Sequence, residues 1–374
     1  MQGYRLEPSG LEQVFEKLKS QSYEIIGPKL KDDAIVYDRL TRVKDLPIGL
    51  TDEQGPGYYR LKKRNDDAYF GYVLGPQSVK HYLHPPVFSL WQAKRTEDGF
   101  AIPKERESAP RYAFIGVRAC ELNAILIQDK VFLDSDYQDP VYLERRKNAF
   151  ILAVNCTQAA PTCFCSSLGT GPKVEAGFDL LLTELINETE HYFVLETGSE
   201  KGQVFVKDVN LPAASEAELE AAQNRVKATE EQISKKLPTE GIKDLLYASY
   251  EHPHWDEIAE RCLSCGNCTM VCPTCFCTTV DDVTSLTGDT AERVRRWDSC
   301  FTSDFSYIHG GSVRPSSKSR YRQWMTHKLA SWQDQFGSLG CVGCGRCISW
   351  CPVGIDITAE LEVFRQERGQ SESN

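Results

Sequence analysis

The cysteines are the side chains of this sequence whose type and spacing could do chemistry. Fifteen of them occur among 374 residues, in three groups that span residues 120–165, 262–300 and 341–351. Their number is odd and the amino terminus lacks the apolar stretch of an export signal, so we expect a cytoplasmic protein without a disulfide framework. Grouped thiols in that setting indicate metal binding.

Two of these groups contain the same spacing, C-x2-C-x2-C-x3-C-P, which is the run of bacterial ferredoxins with two [4Fe–4S] clusters. The first cysteine run is Cys262, Cys265, Cys268 and Cys272, and the second cysteine run is Cys341, Cys344, Cys347 and Cys351. Three cysteines on a tight loop can bind three corners of one cubane, while the fourth reaches the neighbouring cubane. We therefore predict two clusters, one bound by Cys262, Cys265, Cys268 and Cys351, and the other by Cys341, Cys344, Cys347 and Cys272.

Other metal sites built on cysteine pairs differ from these runs. A covalent haem site needs a histidine directly after a C-x2-C pair, and here the residues that follow are Gly266, Thr269, Gly345 and Ile348. A zinc finger or ribbon uses two separate pairs, often with histidines. Two complete runs of four therefore favour iron–sulfur clusters.

Four further cysteines lie in the amino-terminal part. Residues 111–117 and 148–156 are apolar stretches typical of buried strands; Cys120 follows the first and Cys156 ends the second. If these strands are parallel neighbours, their carboxyl ends bring together Cys120, Cys156, Cys163 and Cys165. Four thiols there could bind a third [4Fe–4S] cluster or a zinc ion, or could be plain buried thiols, and the sequence leaves these alternatives open.

Cys275, Cys277 and Cys300 belong to neither run. Buried structural thiols are the simpler interpretation, and a disulfide-active or sulfur-handling centre beside a cluster is the alternative. The same region is basic, because residues 292–328 hold eight Lys or Arg against three acidic residues in a chain of net charge −10. This basic stretch is either a docking surface for an electron-transfer partner or a solvated face with ordinary ion pairs.

The secondary-structure pattern divides the chain near residue 240. Residues 1–213 mix short strands and helices, which predicts a domain of the α+β or α/β class, with a β-hairpin around residues 198–202. Residues 214–250 are rich in helix formers and predict a helical linker. In residues 251–374 the two runs are separated by 68 residues of partly helical character. That region resembles the all-helical ferredoxin modules of heterodisulfide reductase and succinate dehydrogenase, so we expect an all-helical two-cluster domain.

Several function classes are disfavoured by what the sequence lacks. No strand is followed by G-x-G-x-x-G, so we expect neither flavin nor NAD in this chain. The net charge of −10 argues against nucleic acid as a partner. No apolar stretch approaches the ~18 residues of a membrane span. No arrangement of histidines, carboxylates or nucleophiles marks a catalytic residue, so the expected role is electron transfer.

Several segments together resemble one family. They are GVRACELNAILIQDKVF, NCTQAAPTCFCSSLGTGP, CPTCFC, WDSCF, HGGSVRPS and GCVGCGRCISWCPVGID. They are similar to the β subunit of soluble, NAD(P)-linked nickel–iron hydrogenases of the sulfhydrogenase type, and to the corresponding iron–sulfur subunit of anaerobic sulfite reductase. The resemblance extends over about residues 35–360.

This resemblance implies an electron-transfer subunit with no reaction of its own. Its partners would be a flavin/[2Fe–2S] subunit that binds NAD(P) and the small subunit of a nickel–iron hydrogenase. The ligands carried over are the eight cysteines of the two runs. Two alternatives stay open: a relay subunit of a sulfite- or sulfur-reducing complex, and a cluster-assisted disulfide or polysulfide reductase.

Overall fold

The computed structural model describes residues 3–102 and 109–371, with side chains as far as residue 367. The strands are β1 Gly3–Leu6, β2 Glu24–Lys31, β3 Ala34–Arg39, β4 Leu50–Gly55, β5 Tyr58–Lys63, β6 Val87–Thr96, β7 Gly99–Ala101, β8 Tyr112–Val117, β9 Phe150–Val154, β10 Leu180–Ile186, β11 His191–Thr197, β12 Thr278–Thr284, β13 Thr290–Trp297, β14 Tyr307–Ile308 and β15 Gly311–Ser312. The α-helices are α1 Gly10–Ser20, α2 Lys80–Leu83, α3 Ala119–Phe132, α4 Pro140–Asn148, α5 Glu200–Lys207, α6 Glu216–Gln232, α7 Ile242–Ala248, α8 His254–Arg261, α9 Asn267–Met270, α10 Ser317–Thr326, α11 Trp332–Phe336, α12 Arg346–Ser349 and α13 Ile357–Ser371.

A seven-stranded mixed sheet organises the amino-terminal part, in the order β1-β11-β10-β9-β8-β2-β3. Its central strands β8 and β9 read YAFIGV and FILAV and are buried along their whole length. Continuous apolar runs of this kind suit parallel strands that are covered on both faces. The mixed α/β class predicted for this part is confirmed.

Strands β8 and β9 are parallel neighbours, which is the condition under which the amino-terminal cysteines meet at one edge of the sheet. Ala113 pairs with Phe150, and Ile115 pairs with Leu152. Both strands therefore end at the same edge of the sheet. Cys120 enters α3 directly after β8, and Cys156 follows β9 by two residues.

The carboxy-terminal part is largely helical around an aromatic core. Helices α7, α8, α10 and α13 surround buried side chains that include Trp255, Phe301, Tyr321, Trp324 and Phe364. A π-helical segment, His327–Ser331, joins α10 to α11. The predicted helical character is confirmed for this part of the chain.

The expectation that this part is all-helical is wrong, because β12 and β13 form a hairpin between the two cysteine runs. The hairpin pairs with β6 from the amino-terminal part in a four-stranded sheet of order β12-β13-β6-β7. Cross-strand ion pairs join Arg293 to Asp282 and Arg296 to Asp281, and opposite charges facing each other favour such pairing. Residues 251–374 thus share a sheet with residues 87–101, and the division at residues 213 and 250 stays a proposal.

Two local expectations also differ from the structure. Residues 200–207 form helix α5 instead of the second strand of a hairpin, because the Ser199 side chain accepts a hydrogen bond from the Gly202 amide and begins a helix. The segment 214–250 contains helices α6 and α7 with residues 233–241 between them outside any helix, and Leu245 and Leu246 of α7 are buried in the carboxy-terminal core. Across residues 3–102 and 109–371, no helix is both long and apolar enough to cross a membrane.

Candidate iron–sulfur centres

The two cysteine runs adopt the same backbone conformation. Residues 264 and 343 both have positive φ, of 51° and 62°, and Gly266 and Gly345 both have φ of 75°. In each run the amide two residues after the first cysteine donates to its sulfur, from Ser264 to Cys262 at 3.4 Å and from Gly343 to Cys341 at 3.5 Å. Amide bonds to sulfur orient and stabilise cluster ligands, so this shared loop fits the role predicted for both runs.

The first three cysteines of the first run line one cavity together with the last cysteine of the second run. The cavity is lined by Cys262, Cys265, Cys268 and Cys351, with Phe301, Tyr321 and Trp324 among its walls. The Cys351 sulfur accepts a hydrogen bond from the amide of Ile355 at 3.3 Å. The indole nitrogen of Trp324 is buried and lacks a hydrogen-bond partner among the described residues. A group with sulfur acceptors in this cavity would satisfy it.

Cys272 lies instead among the cysteines of the second run. Burial raises the pKa of Cys341 to about 12, and the negative charges of Cys344 and Cys272 add to this rise. The Cys272 charge likewise adds to the raised pKa of Cys344 and of Cys347, whose main cause is also burial. A direct contact also places Cys272 beside this run, because the Lys328 ammonium donates both to the Cys272 sulfur and to the carbonyl of Gly340, which precedes Cys341. The structure thus places Cys351 in one cavity with the first three cysteines of the first run, a cavity that Cys347 also lines, and places Cys272 beside the second run. The two sets of ligands stay a prediction.

The amino-terminal cysteines share a second cavity. It is lined by Cys120, Cys156, Cys163 and Cys165, and also by Cys344 and Arg346 from the second run. The loop that carries Cys163 and Cys165 packs on that run, since the Phe164 amide donates to the Gly343 carbonyl at 2.9 Å. The four thiols meet as the parallel strands predicted, and they adjoin the second run.

A buried cation, Arg118, lies at this cavity. Arg118 is 4% exposed and donates to the backbone carbonyls of Asn155, Phe70 and Tyr72 at 3.2, 2.7 and 3.0 Å. In the described part of the chain no carboxylate lies within ion-pair distance of it, whereas the buried Arg346 pairs with Glu121. Burial raises the pKa of the Cys156 thiol, and Arg118 opposes that rise. A buried charge needs a counter-charge, and thiolates bound to metal would supply it.

Lys328 is the corresponding cation beside the second run. Its ammonium is 5% exposed and donates to the Cys272 sulfur at 3.3 Å, to Thr274 Oγ1 at 3.0 Å and to the Gly340 carbonyl at 2.9 Å. Among the described ion pairs none involves Lys328. A hydrogen bond with Cys275 is the main cause that holds the pKa of Cys272 well below its usual range. The positive charge of Lys328 lowers this pKa further.

The donor sets fit cubanes better than single ions. Within residues 3–102 and 109–371, no group of three or more His, Cys, Asp or Glu side chains is arranged to hold one metal ion. A cubane makes a different demand, because each thiolate binds a separate iron and the four sulfurs stand further apart. Sulfur-rich cavities with buried counter-cations meet that demand.

We predict that removal of the metal destabilises the folded chain. Without thiolate anions, Arg118 and Lys328 become unpaired buried cations, and leaving one such charge unpaired costs about 3–5 kcal/mol. Urea unfolding of the anaerobic chain before and after chelation should show a loss of at least about 3 kcal/mol in the free energy of unfolding. Reconstitution with iron and sulfide should restore it, and an unchanged free energy would contradict the charge argument.

Sequence reasoning overlooked these buried cations. Arg118 lies between an apolar strand and Cys120, and a charge at such a junction is the signal that could have found it. Lys328 offered no such signal, because it was counted within the basic stretch. Three arginines of that stretch form ion pairs: Arg293 and Arg296 pair with acids of the same hairpin, and Arg295 pairs with Asp139. The interpretation as ordinary ion pairs is confirmed for these three residues.

The three remaining cysteines lie beside the first and second runs. Cys275 Sγ is 3.7 Å from the Lys328 ammonium. Burial raises the pKa of Cys300 to about 12, and the charge of nearby Cys277 adds to the rise. Cys300 in turn contributes to the raised pKa of Cys268, again after burial. None of the three is placed in either predicted set of ligands.

Comparisons with known proteins identify an iron–sulfur domain in the part of the chain that contains the two cysteine runs. Residues 261–355 match a family model described as a 4Fe-4S dicluster domain. The chain is 37% identical over 318 residues to sulfhydrogenase 2 subunit beta from Pyrococcus furiosus, an alignment that covers 82% of this chain and 89% of that protein. No solved structure matches the chain.

Proposed function

Since this chain belongs to the family of the sulfhydrogenase beta subunit, we propose that it is the electron-transfer subunit of a hydrogenase-type complex. The single observation that carries this proposal is that Cys351 of the second run lines one cavity with Cys262, Cys265 and Cys268 of the first run. When bound, a [4Fe–4S] cluster accepts and donates one electron at a time. The chain's own residues hold the clusters, offset their negative charge and keep water away.

The proposed ligands are the crossed sets. Cys262, Cys265, Cys268 and Cys351 bind the first cluster, and Cys341, Cys344, Cys347 and Cys272 bind the second. Their support is the shared cavity of the first set, the position of Cys272 beside the second set, and the amide bonds to Cys262, Cys341 and Cys351. The dicluster family model spans both runs.

A third [4Fe–4S] cluster is proposed at Cys120, Cys156, Cys163 and Cys165. The buried Arg118 supports an anionic centre there, and the lack of a single-ion geometry in the described chain favours a cubane over zinc. Because Cys344 lines this cavity and Cys347 lines the cavity of the first cluster, the second cluster would lie between the other two. Electrons would then pass along a row of three centres.

The proposed partners are a flavin/[2Fe–2S] subunit that binds NAD(P) and the small subunit of a nickel–iron hydrogenase, in the cytoplasm. The support is the family, whose relative is named as a sulfhydrogenase subunit. No flavin or NAD is proposed in this chain, and no reaction of its own. Neither nucleic acid nor a membrane is proposed as a partner.

The proposed function is tested in the isolated complex with hydrogen as the electron donor. If the chain is the relay, Cys351→Ala should lower hydrogen-dependent reduction of NAD(P)+ at least tenfold. Reduction of an artificial dye directly at the hydrogenase subunits should stay unchanged and serves as the control. Equal rates of NAD(P)+ reduction by the wild-type complex and by the complex with Cys351→Ala would place this chain outside the electron path. Turnover of a disulfide or polysulfide by the chain alone would make it an enzyme.

A further inference from the structure

The two cysteine runs share the spacing of their four cysteines and the following proline, but they differ three residues after the last cysteine. The second run continues Cys351-Pro-Val-Gly354, whereas the first continues Cys272-Pro-Thr-Cys275. Only the first run is thus followed by another thiol at a place where its counterpart has a glycine. Cys275 is therefore a fifth cysteine that the first run has in addition to the spacing shared by both runs.

Cys275 and Cys272 are held in one environment by two buried ammonium groups. Lys328 Nζ lies 3.3 Å from the Cys272 sulfur and 3.7 Å from the Cys275 sulfur. Lys80 Nζ, which is 4% exposed, donates to the carbonyl oxygens of both residues, at 2.9 and 3.0 Å. Neither lysine has a carboxylate partner among the described ion pairs. A negative charge on either sulfur would balance the buried Lys328 ammonium, which contacts both of them.

The proposed second cluster needs one thiolate besides those of the second run. Cys341, Cys344 and Cys347 can occupy three of its irons, and the fourth iron takes a single protein sulfur. The sulfurs of Cys272 and Cys275 both contact the Lys328 ammonium and therefore lie close together. Either sulfur could bind the fourth iron, and the other would then remain unbound. Whichever of the two sulfurs binds the iron, Lys328 can offset its negative charge, because the ammonium contacts both sulfurs.

We propose that Cys275 is a reserve ligand of the second cluster. In the exchange, the bond from iron to the Cys272 sulfur breaks and a bond from the same iron to the Cys275 sulfur forms. The proton of the Cys275 thiol moves to the released Cys272 thiolate, so neither the charge nor the oxidation state of the centre changes. This inference rests on the proposed function, since it assumes the second cluster.

Three variants of the full chain test it: Cys272→Ala, Cys275→Ala and the double variant. Alanine is used because a serine oxygen could itself bind iron. We expect each single variant to keep the iron of the second cluster, with an altered paramagnetic resonance signal in Cys272→Ala alone. The double variant should lose about four irons per chain. The signal of the first cluster, retained in all three, shows that the chain is folded.

The matched variant is Cys351→Ala, in which no thiol stands three residues later, because that position is Gly354. It should lose about four irons by itself. Loss of about four irons in Cys272→Ala alone would overturn the reserve role, and so would the same loss in Cys275→Ala alone, which would make Cys275 the resident ligand. If Cys351→Ala keeps all its iron, the proposed ligand sets fail independently of Cys275.

Discussion

Replacement of Cys351 by alanine is expected to abolish the cluster of the first cysteine run and to leave that of the second run in place. Cys351 belongs to the second run by sequence, yet it lines a cavity with Cys262, Cys265 and Cys268. Its removal takes away one of the four thiolates of the first cluster. The residue three positions later is Gly354, which has no thiol to take its place. Iron analysis should show a loss of about four irons per chain, and paramagnetic resonance should show which signal disappears.

Cys300→Ala is the matched control for this variant. Cys300 is close to Cys268, and like Cys351 it is partly buried, but it lies outside both proposed sets of ligands. The control should therefore keep both clusters of the two runs. If Cys351→Ala removes the signal of Cys341, Cys344 and Cys347 instead, each run closes on itself and the crossed arrangement is wrong.

Replacement of Gly343 by alanine is the second change with a large expected effect. Gly343 has φ of 62°, and a Cβ atom there would lie 2.6 Å from the backbone nitrogen of Cys165. The obstacle is the backbone of the amino-terminal cysteine loop, which cannot rotate away as a flexible side chain could. Strain of about 1–2 kcal/mol from the positive φ adds to about 1–3 kcal/mol of overpacking.

We therefore expect Gly343→Ala to lower the free energy of unfolding by about 3 kcal/mol. The signals of the second cluster and of the amino-terminal centre should both be perturbed. Gly337→Ala is the matched control, because Gly337 has φ of 66° but no atom within 4 Å of the added Cβ. Its cost should be the strain alone, about 1–2 kcal/mol. Equal costs for the two variants would mean that the loop of Cys165 does not press on Gly343.

The residues that sequence alone located are those whose spacing is dictated by the cluster. The C-x2-C-x2-C-x3-C-P spacing predicted an iron–sulfur domain with two clusters, which the dicluster family model over residues 261–355 supports. Apolar continuity predicted β8 and β9 as buried strands. The meeting of Cys120 with Cys156 depended on the condition that these strands are parallel neighbours, and the structure meets that condition. These inferences needed only local pattern and one topological rule.

The parts that sequence missed depend on contacts between distant segments. The hairpin of β12 and β13 is stabilised by β6, which lies far earlier in the chain, so its own pattern of TTVDDVT was too weak to stand out. The counter-charge roles of Arg118 and Lys328 follow from burial among backbone carbonyls and thiols, which no spacing reveals. The ion pairs of the basic stretch likewise appeared only once Asp139 and the hairpin acids were in place.

The most direct test of the three-cluster relay is a count of redox centres in the full chain. Anaerobic protein should contain about twelve irons and twelve sulfides. Full reduction, followed by paramagnetic resonance, should integrate to about three unpaired electrons per chain. In Cys156→Ala the count should fall to about eight irons and two unpaired electrons. A wild-type chain with about eight irons and two unpaired electrons, or with zinc beside Arg118, would contradict the relay.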